Sequence, residues 1–333
     1  MKLKVGLLGG GSWGTTVASL TAYNTPTIMW ARNQTTVDDI NQNHRNEKYL
    51  PGANLTKSLR ATTSIKEAVQ DADVIVMGVP SQVFRGVLEN AKPYIRPWVP
   101  IVSLSKGLEM GTRMRMTEII EATMPGHPAG VLTGPNLARE ILAGQAAASV
   151  IAMVDDNIAL SLQKVFRTGL FRVYTNDDVI GCELGGALKN VIAIAVGMGD
   201  GAGAGDNTRS AVITRGLAEL TRLGVAMGGK PATFAGLAGM GDLVATCISS
   251  LSRNRYVGCE LGKGRSLDEI IEEMSMVAEG VKTCGVVMEL AKEYNVEMPI
   301  TSEVYKVITD GNTVMDAFKG LLRKRSGSEA EPG

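Results

Sequence analysis

The first eighteen residues read MKLKVGLLGGGSWGTTVA, and their order decides the fold. A short apolar run of β character, residues 3–8, passes directly into Gly9, Gly11 and Gly14, and a helix-forming pattern follows from Thr15. Strand, glycine turn and helix in succession form the context in which G-x-G-x-x-G spacing signals dinucleotide binding. Gly9 permits the tight turn, Gly11 lets the backbone approach a pyrophosphate, and Gly14 lets helix and strand pack closely. The helix N-terminus then offers N–H groups and the positive end of a dipole to phosphate.

Outward from this turn, residues 26–31 (PTIMWA) read as a second strand and complete a βαβ half-unit. At its end stands Arg32, where NAD-selective versions of the motif place an acid against the ribose 2′-hydroxyl. An arginine there accommodates a 2′-phosphate, so NADP(H) is favoured or admitted. Residues 33–56 are polar and loop-rich, with a short helical section expected near 37–43. The runs at 73–79, 99–104, 131–133 and 149–154 are apolar and β-branched, and residues 171–174 add a further candidate strand. Strands apolar on both faces suit a buried parallel sheet with helices between them.

From Gly181 onward apolar residues recur at helical spacing: Leu184, Leu188, Val191, Ile192 and Ala195, then Ile213, Leu217, Leu220 and Leu223. Helical patterns continue over 267–276, 285–293 and 301–322. The expected organisation is a dinucleotide-binding domain over 1–180, a helical substrate domain over 181–322, and a disordered polar tail over 323–333. The glycine cluster at 197–205 is expected to link two helices, either as a mobile loop over a site or as a close-packed turn.

The 333 residues carry 34 Lys plus Arg and 34 Asp plus Glu, which argues against non-specific attraction to nucleic acid or anionic membrane. Phosphate selectivity must therefore be local. The four cysteines lack Cys-x-x-Cys spacing and only two histidines accompany them, so free thiols are expected and no metal site. With no signal-peptide pattern, and no apolar run approaching the ~20 residues that span a bilayer, a soluble cytoplasmic protein is expected. His44 and His127 lie in polar or turn sequence, which leaves Lys, Asp and Glu as the first candidates for acid–base chemistry.

Ligands of open parallel sheets bind beyond the carboxyl ends of the strands, where residues 79–82, 103–109 and 133–140 fall. Lys106, just past a strand, is placed to meet an anion or a polarised carbonyl. Lys189 sits inside an apolar helix with Gly185 and Gly186 one turn back, which suggests space cleared around it. A partly desolvated lysine can serve as general acid or base. Asp242, after the glycine turn of AGMGDL, is a candidate to orient its ammonium, and residues 249–255 (SSLSRNR) offer hydroxyls, an amide and two arginines to a phosphate.

Together these residues resemble the bacterial-type soluble NAD(P)-dependent glycerol-3-phosphate dehydrogenases. The likeness runs from Gly9 to about Arg323 and rests on GGGSWGT, SLSKGLE, GPNLARE, ELGGALKNVIAIAVGMGDG, AGMGDLVATC and SLSRNRYVG in the family's order. It implies a Rossmann-type doubly wound, mainly parallel sheet followed by an all-helical domain. It further implies reversible hydride transfer between the nicotinamide and C2 of dihydroxyacetone phosphate, giving sn-glycerol 3-phosphate for phospholipid synthesis, commonly in a homodimer.

By the same resemblance Lys189 is the general acid, with Lys106, Asn190, Asp242 and Thr246 around the reacting end. Gly134, Asn136, Ser252, Arg253 and Asn254 match substrate-holding positions. Ser12, Trp13, Arg32, Lys106, Ala138, Arg253, Val277 and Glu279 match cofactor contacts beside the three glycines. NADP(H) is expected, with NAD(H) also used, and no metal. A related two-domain reductase acting on another hydroxy acid or sugar phosphate is the alternative enzyme reading. A dinucleotide sensor without chemistry is the alternative from another class, and it has no use for Lys189, Asp242 and Arg253 together.

Overall fold

The apolar runs pair into one eight-stranded sheet: β1 (Val5–Leu8), β2 (Thr27–Trp30), β3 (Arg60–Thr62), β4 (Val74–Met77), β5 (Ile101–Ser103), β6 (Ala129–Thr133), β7 (Ala147–Met153) and β8 (Phe171–Asn176). The computed structural model describes residues 3–274 and 278–323. The strand order is β3-β2-β1-β4-β5-β6-β7-β8, the doubly wound arrangement in which the chain turns back beside β1 to lay down β4. Alternate residues feed two cores. Val5, Leu7, Val74, Val76 and Val102 enter one, while Leu8, Ile75, Met77 and Ile101 enter the other. Both faces are therefore covered, as a parallel sheet requires.

Two features differ from the expected sheet. β3 has only three residues, one of them the exposed Arg60, too little for a pattern of its own. β7 runs antiparallel to β6, whereas every other neighbouring pair is parallel. Along the edge strand β8, Phe171 and Val173 are buried and Arg172 and Tyr174 exposed, so only one face is covered.

The first helix spans Ser12–Asn24 and starts three residues earlier than its sequence pattern. Residues 14–22 are buried on every side, among them Thr15, Thr16, Ser19 and Thr21. Buried hydroxyls need partners, and the loop before β3 supplies several. Ser12 Oγ donates to the Tyr49 carbonyl, Asn46 Nδ2 to Thr15 Oγ1, Thr56 N to Ser19 Oγ, and Ser58 Oγ to the Ala22 carbonyl. Positions 12, 15, 19 and 22 form one helical stripe, so this polar segment is a strap laid along the helix.

The chain divides into two compact units, residues 1–106 with 114–179, and residues 107–113 with 180–333. Leu108 is fully buried in the core of the second unit, and Arg113 pairs with Glu293 at 2.9 Å. That unit is helical, built around Val179–Gly201 and Asp206–Ala226. Contrary to expectation, Val179–Gly201 and the stretch Pro231–Ile248 are long and apolar enough, by length and composition, to cross a membrane. The first is 89% buried within the protein over its most apolar part, as the central helix of a core is.

The glycine cluster lies mostly inside this helix rather than between helices. A Cβ on Gly197 would come within 2.1 Å of the Arg255 carbonyl, and one on Gly201 within 2.1 Å of the Cys259 carbonyl. From the helix Arg253–Gly262, a Cβ on Gly258 would likewise lie 2.1 Å from the Ile194 carbonyl, and one on Gly262 would lie 2.4 Å from the Met198 carbonyl. Glycines spaced by four on both helices thus set a backbone-to-backbone crossing.

The pattern over 301–322 is two helices, Pro299–Thr309 and Val314–Leu322, parted by Gly311 at φ +73° and restarted by a capping box of Thr313 and Asp316. The start of the first is capped from a distance: buried Glu219 accepts from the Ile300 and Thr301 amides and the Thr301 hydroxyl. Burial pushes the Glu219 carboxyl up, against the pull of these donors. All four cysteines are free. The expected tail beyond residue 323 lies outside the described residues.

Because the obstacles at Gly258 are main-chain atoms, Gly258→Ala must push the two helices apart. The expected cost is roughly 1–3 kcal/mol, as for overpacked cores, read as a lower melting temperature; an unchanged melting temperature would show that the crossing has room for the methyl.

Candidate active site

β1 and β4 end at adjacent glycines, and the turn between strand and first helix is built from their interlock. Gly9 has φ +131°, and a Cβ there would lie 2.3 Å from the Gly78 carbonyl oxygen. A Cβ on Gly14 would lie 2.2 Å from the Gly9 oxygen, and one on Gly78 would lie 3.0 Å from Gly14 Cα. Gly11 is different: nothing stands within 4 Å of its Cβ position, and it is the helix N-cap without a side-chain cap. The turn is therefore closed on the protein side and open at Gly11, at the switch point of the sheet, which fits a bound dinucleotide diphosphate.

Gly78 is a member of this set that the sequence reading did not single out. Its signal was a glycine closing the apolar run of β4. Trp13 packs edge-on against Phe171 with ring centroids 6.3 Å apart, so its indole belongs to the core. Arg32 is exposed beyond the end of β2.

Lys106, past the end of β5, donates through Nζ to the Gly134 carbonyl at 2.8 Å. Gly134 has φ +133° and lies against Ser149, which only glycine tolerates comfortably. Asn136 Nδ2 donates to Ser149 Oγ at 3.2 Å, and that hydroxyl donates to the Thr133 carbonyl. Lys106, Gly134 and Asn136 thus form one group, with Ala138 opening the helix Ala138–Leu142 just after it. Ser149 is the link here that sequence did not signal.

In the helical unit Lys189 is 4% exposed, and its Nζ lies 2.8 Å from Asp242 Oδ1. It also donates to Thr246 Oγ1, whose own hydroxyl donates to the Asp242 carbonyl. Asp242 and Thr246 share one face of the helix Asp242–Ile248. Gly185 does not clear space for the lysine. A Cβ there would lie 2.5 Å from the Ala238 carbonyl, so its absence lets the turn that carries Asp242 approach. The neighbouring Cys247 thiol is pushed by burial up to about 12 and stays protonated.

A second group adjoins Lys189 along the chain. Asn254 Nδ2 donates to Asn190 Oδ1 at 2.9 Å, and the Gly280 amide donates to Asn254 Oδ1 at 3.0 Å. A Cβ on Gly280 would lie 2.7 Å from the Asn190 oxygen, which makes this glycine another unanticipated part of the site. Ser252 caps the helix that begins at Arg253, accepting from the Arg255 amide. The two arginines of SSLSRNR separate. Arg255 is held by Asp200 at 2.7 and 2.8 Å and is part of the frame, whereas the Arg253 guanidinium is desolvated, which pulls its pKa below the usual arginine value against the opposing charge of Glu279. Val277 lies outside the described residues.

The sites therefore come as a glycine turn and a Lys106 group in one unit, and a Lys189 group and an asparagine group in the other. Neither histidine belongs to them; the His127 ring pairs with the Val99 carbonyl.

Residues 4–159 match the N-terminal family model of NAD-dependent glycerol-3-phosphate dehydrogenase, and residues 178–319 match the C-terminal one. The chain is 63% identical over its whole length, and over the whole of the relative, to glycerol-3-phosphate dehydrogenase (NAD(P)+) 2 of Sphingopyxis alaskensis. It is 58% identical to the Mycobacterium avium enzyme, with 98% of this chain and 96% of that one covered. The crystal structure of glycerol-3-phosphate dehydrogenase from Coxiella burnetii superposes with a TM-score of 0.92 at 35% identity, covering 97% of this chain and 99% of the other. With both halves matched and a relative 63% identical over its whole length, the chain belongs to the NAD-dependent glycerol-3-phosphate dehydrogenase family.

Proposed function

We propose that the chain catalyses reversible hydride transfer between NAD(P)H and dihydroxyacetone phosphate, giving sn-glycerol 3-phosphate for glycerophospholipid synthesis. The observation that carries this reading is the buried Lys189 ammonium, held by Asp242 and Thr246 in a chain that matches a member of the family over that relative's whole length. An ammonium has three N–H donors. Two are taken by these partners, which leaves one for a substrate oxygen.

A bound nicotinamide would supply hydride to C2 of the substrate in this direction and accept it in the other. As the ketone becomes an alkoxide, Lys189 stabilises the charge and passes a proton to the oxygen, and in the reverse direction it takes that proton back. Asp242 fixes the position of the ammonium. Lys106, Gly134 and Asn136 together with Ser252, Arg253 and Asn254 are assigned to the substrate, with Asn190 and Thr246 steadying the reacting end. Gly9, Gly11, Ser12, Trp13, Gly14, Arg32, Lys106, Ala138, Arg253, Val277 and Glu279 are assigned to the cofactor. Residues 1–180 act as the dinucleotide-binding domain and 181–322 as the substrate domain.

NADP(H) is the cofactor in this reading, with NAD(H) also used, because Arg32, and no acid, follows β2. No metal takes part. A cytoplasmic homodimer is proposed from likeness to the family. The alternative reductase with another hydroxy acid or sugar phosphate is not favoured, since family likeness extends over both halves of the chain.

Steady-state oxidation of NADPH tests the assignment. Wild type should require the phosphate, turning over dihydroxyacetone phosphate but not dihydroxyacetone. Lys189→Ala should lose about 100-fold or more in kcat, the range for a missing general acid, while its NADPH dissociation constant stays near that of wild type. Activity retained in Lys189→Ala would remove it from the chemistry. For the cofactor, Arg32→Ala should lower the ratio of kcat/KM for NADPH over NADH by about tenfold, as expected for one lost charge-assisted contact. An unchanged ratio would place the selection elsewhere.

A further inference from the structure

The strap along the first helix contains a side chain that none of the assignments above uses. Asn46 is 1% exposed, and its Nδ2 donates to the Gly10 carbonyl at 3.0 Å and to Thr15 Oγ1 at 2.8 Å. Both amide hydrogens are thereby committed. The Gly10 carbonyl belongs to the peptide that joins Gly10 to Gly11. The described chain has no cis peptide, and in a trans peptide C=O and N–H point in opposite directions. Holding the Gly10 oxygen against Asn46 therefore turns the Gly11 N–H away from the strap.

Successive glycines have little conformational preference of their own, so an external restraint is what gives this peptide one orientation. Ala31 stands on another side, where a Cβ on Gly10 would come within 2.8 Å of its Cβ, and Gly11 faces open space. We propose that Asn46 is a positioning residue for the dinucleotide: its amide locks the Gly10–Gly11 peptide so that the Gly11 N–H is presented to the cofactor's diphosphate. The proposal rests on the reading of the glycine turn as the cofactor site.

Calorimetric titration of NADPH, NADH and adenosine 2′-monophosphate tests it on wild type, Asn46→Ala, Asn46→Leu and Thr15→Val. Leucine keeps the side-chain volume and covers the case in which alanine unfolds the strap. Both Asn46 variants should bind NADPH and NADH about tenfold more weakly, as for one lost anion-directed hydrogen bond. They should bind adenosine 2′-monophosphate, which has no diphosphate, as wild type does. Their KM for NADPH should rise while kcat at saturating cofactor holds. Thr15→Val, which cuts only the tie to the helix, should match wild type throughout.

Dinucleotide affinity unchanged in the Asn46 variants, or an equal loss for adenosine 2′-monophosphate, would overturn the proposal, the second by showing that Asn46 merely holds the strap in place. Wild type that binds neither NADPH nor NADH would instead bring down the dinucleotide reading, and this inference with it.

Discussion

The helical unit depends on burying one ammonium beside one carboxylate. Lys189 and Asp242 side chains are 5% and 3% exposed, and removing two charges from water is costly unless geometry and further hydrogen bonds compensate. The compensation here is a short ion pair plus the Thr246 hydroxyl. It requires the Val179–Gly201 helix and the turn before Asp242 to meet at backbone distance, which explains glycine at 185. Gly239, where a Cβ would lie 2.1 Å from the Phe234 carbonyl, shapes that turn, and the crossing of Gly197 and Gly201 with Gly258 and Gly262 brings a further helix against the same central one. The glycines that sequence alone would count as helix-weakening are the means by which charged and amide groups are brought into one rigid frame.

The dinucleotide unit answers a different constraint. Its first helix is buried all round and carries several hydroxyls, so a polar strap must run beside it to satisfy them. The strap begins at Asn46, against the glycine turn that we assign to the cofactor. One segment thereby serves the packing of the helix and the shape of the phosphate-facing backbone.

Much of this was legible in the sequence. Runs apolar on both faces announced the parallel strands, and G-x-G-x-x-G between strand and helix placed the turn. Lys189 and Asp242 were singled out from an apolar helix and a glycine turn, Thr246 from the resemblance, and the three meet. The misses have physical causes. β3 is too short to show a period, and an antiparallel β7 buried on both faces has the same apolar run as a parallel strand. Gly78, Ser149 and Gly280 act through backbone approach or a single hydroxyl, which no local pattern marks. The arginines at 253 and 255 look equivalent in a string, yet only Arg255 projects to Asp200, a partner far along the chain.

The central claim, that Lys189 and Asp242 act as one catalytic unit, is tested most directly by a double-mutant cycle on kcat/KM with dihydroxyacetone phosphate and NADPH. Lys189→Ala, Asp242→Ala and the double variant should be similarly impaired, because either single change already dismantles the unit. Losses that multiply in the double variant would contradict the account and show that the two residues contribute independently.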